Sequence, residues 1–177
     1  DLPGIKKNVA LKNHTTFKIG GPAEYFLIAN NEKILLGAVK TAQKLKLPVF
    51  ILGGGSNLLV ADKGVKGLVI KIKNKSVKIK NNTIIADAGI ELEKLVNLSI
   101  NKSLQGLEWA GGLPGTFGGA IRGNAGAFAG EIKDIILEVR AIDTSFTLTK
   151  FSNRQCRFSY RSSIFKERNW TVISAKI

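Results

Sequence analysis

Three residue types are nearly or wholly missing from these 177 residues: there is one cysteine, one histidine and no methionine. Cys156 alone cannot form an intramolecular disulfide, which fits a reducing cytoplasm. His14 alone excludes a multi-histidine metal site. Beside threonines, it reads as a hydrogen-bonding structural residue rather than a base. No apolar run approaches membrane-spanning length and no signal-peptide pattern opens the chain, so no membrane partner is expected. The opening at Asp1 rather than methionine is read as removal of earlier residues.

Acidic residues are also scarce, 13 against 27 lysines and arginines, for a formal net charge of +14. Such a charge suits nucleic acid. The placement of the lysines argues for something plainer. Seven fall between Lys63 and Lys80, and in Leu68–Lys73 and Ser76–Lys80 they alternate with apolar residues. Period-two alternation puts them on the solvent face of strands, where lysine opposes aggregation. No aromatic RNA-binding pattern, zinc spacing or clear helix-turn-helix accompanies them, so nucleic acid is not expected as a partner. A basic surface still attracts acidic substrates such as nucleotides.

An apolar fraction of 44% is ordinary for a folded chain, and the length permits one module or two small lobes sharing a ligand. Glu24–Ala29 reads as a strand. Ile34, Leu35, Ala38, Val39, Ala42 and Leu45 have helical spacing, with Asn30 or Asn31 as cap. Val49–Leu52 is a short buried strand running into Gly53-Gly54-Gly55-Ser56-Asn57. The Rossmann fingerprint would need glycine at position 58, which is leucine, and no Gly-Lys-Ser/Thr follows. The segment still offers N–H, hydroxyl and amide donors to a pyrophosphate, and tight-turn packing explains it equally well. Val65–Ala88 reads as antiparallel strands turning at Asn81-Asn82. Leu92, Leu95 and Val96 mark a helix. Asp134–Thr149 and Trp170–Ile177 are β-like.

From Gly106 to Glu131 glycine recurs nine times, with Trp109, Leu113, Phe117, Ile121 and Phe128 between. That density suits a backbone needing positive φ or close approach, and the apolar residues argue against a linker. The stretch reads as an ordered loop with a short helix. Its N–H groups would hold an anionic or planar ligand. Backbone-on-backbone packing is the competing account.

Four segments, HTTFKIGGPA, LGGGSNLLV with Asp62-x-Gly64-x-x-Gly67, GLPGTFGGAIRGNAGAFAGE and YRSSIFK, occur in one order. Together they resemble the UDP-N-acetylenolpyruvoylglucosamine reductases, also called UDP-N-acetylmuramate dehydrogenases, from about Leu11 to Ile177. The resemblance implies an α+β fold, a two-lobed FAD-binding domain of the vanillyl-alcohol-oxidase (PCMH) type. Lobe one would span about 1–68 and lobe two about 69–177. It implies non-covalent FAD, with NADPH as co-substrate and a UDP-sugar as substrate, in peptidoglycan precursor synthesis in the bacterial cytoplasm. Gly53, Gly54, Gly55, Ser56 and Asn57 would cradle the FAD pyrophosphate. Gly112, Pro114, Gly115, Gly118, Gly119, Asn124, Ala125 and Gly126 would wrap the flavin, and Gly20 and Gly21 would stand close to it. Arg161 matches the family's catalytic arginine, suited to a substrate carboxylate. The family's C-terminal substrate-binding domain, with its proton-donating serine and assisting glutamate, is missing from the sequence. Ser162, Ser163 and Glu167 do not match those residues. The chain is therefore expected to be a truncated form, inactive alone.

Overall fold

The computed structural model describes residues 2–143 and 145–177. It divides into two compact units, Asp1–Asn74 and Lys75–Ile177. The sequence-based boundary near residue 68 falls inside a strand of the first unit.

The first unit is a four-stranded sheet of order β1-β2-β4-β3, built from β1 (Lys6–Ala10), β2 (Pro22–Ala29), β3 (Val49–Leu52) and β4 (Val65–Ile72). β1 is antiparallel to β2, while β2 and β3 both run parallel to β4. Helix α1 (Glu32–Lys44) packs on β2 and β4 through Leu35, Ala38, Val39 and Ala42, all buried. Asn31 caps it: its Oδ1 accepts from the Ile34 N–H at 2.9 Å. Leu11, Ala23, Phe26, Leu52, Val60 and Val69 form a core cluster.

The sequence reading is corrected at one strand and extended at another. Val65–Ile72 does not pair antiparallel with the strand that follows. It is an inner strand of a largely parallel sheet, covered on both faces, which is why Leu68, Val69 and Ile70 are all buried. A strand flanked by parallel neighbours reads as a continuous apolar run. Lys71 accordingly is half-buried rather than on a solvent face. The polar opening segment, residues 1–12, contains β1. Its exposed residues Lys6–Asn8 give an edge strand without an apolar signature.

The second unit is a five-stranded sheet of order β10-β9-β11-β6-β5. Its strands are β5 (Val77–Lys80), β6 (Thr83–Asp87), β9 (Glu138–Ile142), β10 (Leu148–Ser152) and β11 (Thr171–Lys176). All adjacent pairs are antiparallel. The β5–β6 hairpin turns at Asn81-Asn82, with Lys80 opposite Thr83, as the sequence indicates. Lys78 and Lys80 are exposed on this edge strand. Helix α2 (Leu92–Asn101) buries Leu92, Leu95 and Val96. Helix α3 (Phe117–Arg122) packs on β6 and β11 and buries Phe117 and Ile121 completely. Beyond α3 lie a two-stranded hairpin, β7 (Gly126–Ala127) with β8 (Gly130–Glu131), and the single helical turns α4 (Ile132–Ile135) and α5 (Ile164–Glu167). The mixed α and β content is the expected α+β class.

Candidate functional site

In the first unit, the Gly53–Asn57 turn leaves the carboxyl end of β3, where Leu52 lies opposite Lys71 of β4. Parallel α/β sheets bind ligands outside the carboxyl ends of their strands. Gly53 and Gly54 form the bend, and Gly54 and Asn57 are exposed. Gly55 has another task. Its φ is +75°, its carbonyl accepts from the Thr16 N–H at 3.1 Å, and a Cβ there would strike the His14 carbonyl. Gly20 and Gly21 are likewise held close by protein. A Cβ on Gly20 would lie 2.8 Å from Val60 Cβ, and one on Gly21 would overlap the Asp62 carbonyl. At these three positions close packing alone requires glycine.

His14 stacks on Phe26, centroids 4.6 Å apart, with its Nδ1 3.3 Å from Lys71 Nζ. Burial, then the charges of Lys71 and Lys73, push its pKa below the usual 6.5. Burial and Lys73 depress Lys71 as well. This is the structural role expected of a lone histidine.

In the second unit the glycine stretch is ordered, as its apolar residues imply, and its glycines divide into two kinds. Gly118 is buried: its N–H donates to Ala88 O at 2.9 Å, and a Cβ would come within 2.6 Å of Ala88 Cβ. Gly126 is packed against Gly130 O and Glu131. Gly130 carries the Trp109 ring, whose Nε1–H donates to Gly106 O at 3.0 Å. Gly115 has a φ of +119°, and its carbonyl accepts from the Leu92 N–H. Gly112 and Gly119 differ. Both are exposed. A Cβ on Gly112 (φ +76°) would meet nothing within 4 Å, and one on Gly119 only Thr116 Oγ1 at 3.4 Å. Pro114 is exposed beside them. The expectation that N–H groups of this stretch face a ligand is corrected at Phe117 and Gly118. Those N–H groups join α3 to Ile90 and Ala88. Ala125 bonds inward too, its N–H to Ala120 O and its carbonyl from the Ile132 N–H.

Asn124 is only 1% exposed. Its Nδ2 donates to Glu131 Oε2 at 2.8 Å and to Ser159 O at 2.9 Å, while Oδ1 accepts from the Lys133 N–H at 3.0 Å. Both amide hydrogens are thus engaged within the protein, and the backbone N–H donates to Ile121 O.

Arg161 lies in a tight turn closed by reciprocal bonds between Ser159 and Ser162, each 3.1 Å. Its φ is +54°, a left-handed conformation that is costly for a residue with a Cβ. Lys166 Nζ donates to Arg161 O at 2.9 Å. Asn124, Phe128, Glu131, Tyr160 and Arg161 line an open pocket of about 220 Å³, together with the rest of residues 126–130. The Arg161 guanidinium sits 5.8 Å from the Tyr160 ring. Glu131 is held below the usual carboxylate range, first by its hydrogen bond from Lys133 and then by that from Asn124, with Arg161 adding attraction. Ser163 is buried, its Oγ–H donating to Arg122 O at 2.8 Å.

Sequence reasoning overlooked Phe128, Glu131, Tyr160 and Lys166. Phe128 and Ala129 both have positive φ, +48° and +64°, at the hairpin tip. Two-residue hairpins of this hand ordinarily carry Asn-Gly or Gly-Gly, so Phe-Ala gives no signal. Lys166 lies in α5, five residues beyond Arg161.

The FAD binding domain family matches residues 23–152. The chain is 41% identical over 171 residues to a UDP-N-acetylenolpyruvoylglucosamine reductase of Caldanaerobacter subterraneus, covering 96% of this chain and 57% of that protein. The solved UDP-N-acetylenolpyruvylglucosamine reductase of Thermus caldophilus superposes with a TM-score of 0.83 at 30% identity, over 97% of this chain and 61% of that one. A solvent-stable cholesterol oxidase shares the fold, with a TM-score of 0.75 at 16% identity over 99% of this chain and 37% of that one. The chain spans less than two thirds of the reductases it matches. The chain belongs to the FAD-binding domain family and over nearly its whole length is similar to UDP-N-acetylenolpyruvoylglucosamine reductases.

Proposed function

We propose that this chain is the FAD-holding part of a UDP-N-acetylenolpyruvoylglucosamine reductase. The complete protein would reduce the enolpyruvyl ether of its UDP-sugar to UDP-N-acetylmuramate with NADPH. The reaction belongs to peptidoglycan precursor synthesis, in the cytoplasm of a bacterium. The observation that carries the reading is Arg161 and the glycine hairpin lining one pocket. The residues fit the cofactor where they leave room for it. Gly112 and Gly119 present open faces, and Gly54 and Asn57 are exposed at the carboxyl end of β3. These segments would hold FAD non-covalently, Gly53–Asn57 at the pyrophosphate and residues 112–126 at the ring system.

When bound, FAD supplies the ring that accepts hydride from NADPH and returns it to substrate. The chain's own contribution is electrostatic. Arg161 would hold the enolpyruvyl carboxylate through its planar fork and stabilise the charge that develops there. Tyr160, 84% exposed, places its ring beside the guanidinium. Ser163 does not fit a proton donor, because its hydroxyl is buried and committed to Arg122.

The purified chain should show visible flavin absorbance that denaturation releases into solution. Gly54→Val or Gly119→Val should remove it. A folded Gly119→Val protein with full flavin occupancy would overturn the placement. A flavin-binding module without catalysis is the second reading, in line with the Ser163 hydroxyl being buried and committed to Arg122 O.

A further inference from the structure

We propose that Asn124 is a positioning residue for Arg161: its side chain fixes the Arg161 turn against the glycine hairpin. The proposal rests on the reading of Arg161 as the carboxylate-binding residue. Three segments converge on this one amide. Asn124 itself ends the turn after α3, with φ +41° and its N–H donating to Ile121 O at 3.2 Å. Its Oδ1 takes the Lys133 N–H and so fixes the start of α4. One Nδ2 hydrogen goes to Glu131 at the end of the hairpin, the other to the carbonyl of Ser159, the first residue of the Arg161 turn. Glu131 is not free to drift, because Lys133 Nζ holds its carboxylate at 2.9 Å and its N–H donates to Asp134 Oδ2 at 2.8 Å.

Arg161 needs such a tether. It is exposed, its backbone is left-handed, and its turn closes through two main-chain bonds alone. Lys166 anchors the outer side of the turn through Arg161 O. On the inner side, the Asn124 bond to Ser159 O ties the turn to the hairpin that shares its pocket. Burial makes this link rigid: an amide with every hydrogen engaged and 1% exposure has no alternative partner in water. An active-site group displaced by about 1 Å can cost on the order of 10²-fold in rate. A small, deeply buried amide can therefore act on a reaction through the placement of Arg161.

Asn124→Asp tests this with little change in shape. The aspartate keeps an acceptor for Lys133, loses both donors and faces the Glu131 carboxylate. In the 177-residue chain, hydrogen exchange of the Ser159 and Ser162 amides should quicken about tenfold, the order of factor one lost hydrogen bond is worth. In the complete reductase, transfer from reduced flavin to the UDP-sugar should slow about 10²-fold, more than flavin reduction by NADPH does. Lowering the pH should partly restore transfer in Asn124→Asp, because the neutral carboxyl regains one O–H donor. Neither wild type nor Asn124→Ala should show that recovery. In the unmodified chain, both Asn124 side-chain amide hydrogens should exchange slowly. Free exchange of those hydrogens, or unchanged Ser159 and Ser162 exchange in a folded Asn124→Asp, would overturn the proposal whatever the chain binds. If Arg161→Lys leaves transfer unaffected, the functional reading has failed instead, and the exchange results stand apart from it.

Discussion

Replacing Gly112 and Gly118 separately with alanine should distinguish a glycine kept for a ligand from one kept for packing. At Gly112 the new methyl group meets nothing within 4 Å, so the bare protein loses only backbone conformational energy at φ +76°. That is about 1–2 kcal/mol for a left-handed residue with a Cβ. At about 2–4 °C per kcal/mol for a chain of this size, melting falls by about 2–8 °C. If FAD occupies the open face, the methyl also removes space from the cofactor, and FAD affinity should fall at least about tenfold beyond the stability loss, equivalent to about 1.4 kcal/mol. Gly118→Ala reverses the pattern. Its Cβ comes within 2.6 Å of Ala88 Cβ and 3.1 Å of Ala88 O, and the turn after β6 and the helix must part, at about 1–3 kcal/mol of overpacking. The Gly118→Ala protein that remains folded should bind FAD nearly as wild type. Thermal melts without cofactor and FAD titrations by flavin fluorescence measure the two quantities independently. Unchanged FAD affinity in Gly112→Ala would refute the assignment of that face to the cofactor.

Three other outcomes are expected. In the complete reductase, Arg161→Lys should slow transfer to the UDP-sugar more than flavin reduction, because lysine keeps the charge and loses the fork; rapid mixing follows each half. His14 has a folded pKa depressed below 6.5, so the unfolded chain binds its proton more readily. Stability should therefore decline as pH falls from about 6.5 towards the folded value and should be flat in that window for His14→Asn, as denaturant titrations at stepped pH would reveal. The 177-residue chain loaded with FAD should consume NADPH near background in the presence of the enolpyruvyl substrate, since general acid catalysis alone is typically worth about 10²–10⁴-fold; robust product by mass would show that a group in this chain donates the proton.

The amino-acid sequence by itself determined the local elements whose signals are periodic. Apolar residues at helical spacing after Asn30-Asn31 specify α1, and the structure selects Asn31 of the two as its cap. The Asn81-Asn82 turn between alternating strands specifies β5 and β6. Four ordered motifs identify the family, because their residues and spacing lie in the chain itself. Pairing partners were decided only by tertiary structure. Leu68-Val69-Ile70-Lys71 alternates too little to reveal its neighbours, and only the assembled sheet places β4 between two parallel strands with Lys71 against His14. The roles of the glycines divided in the same way. Their density announced close approach, but glycine has no side chain to say what approaches. Protein backbone or side chains fill the space at Gly20, Gly21, Gly55, Gly118 and Gly126, and open space remains at Gly112 and Gly119. Asn124 is the sharpest case. An amide in a glycine run can serve a ligand or the fold, and its direction depends on where Ser159, 35 residues later in the chain, comes to rest.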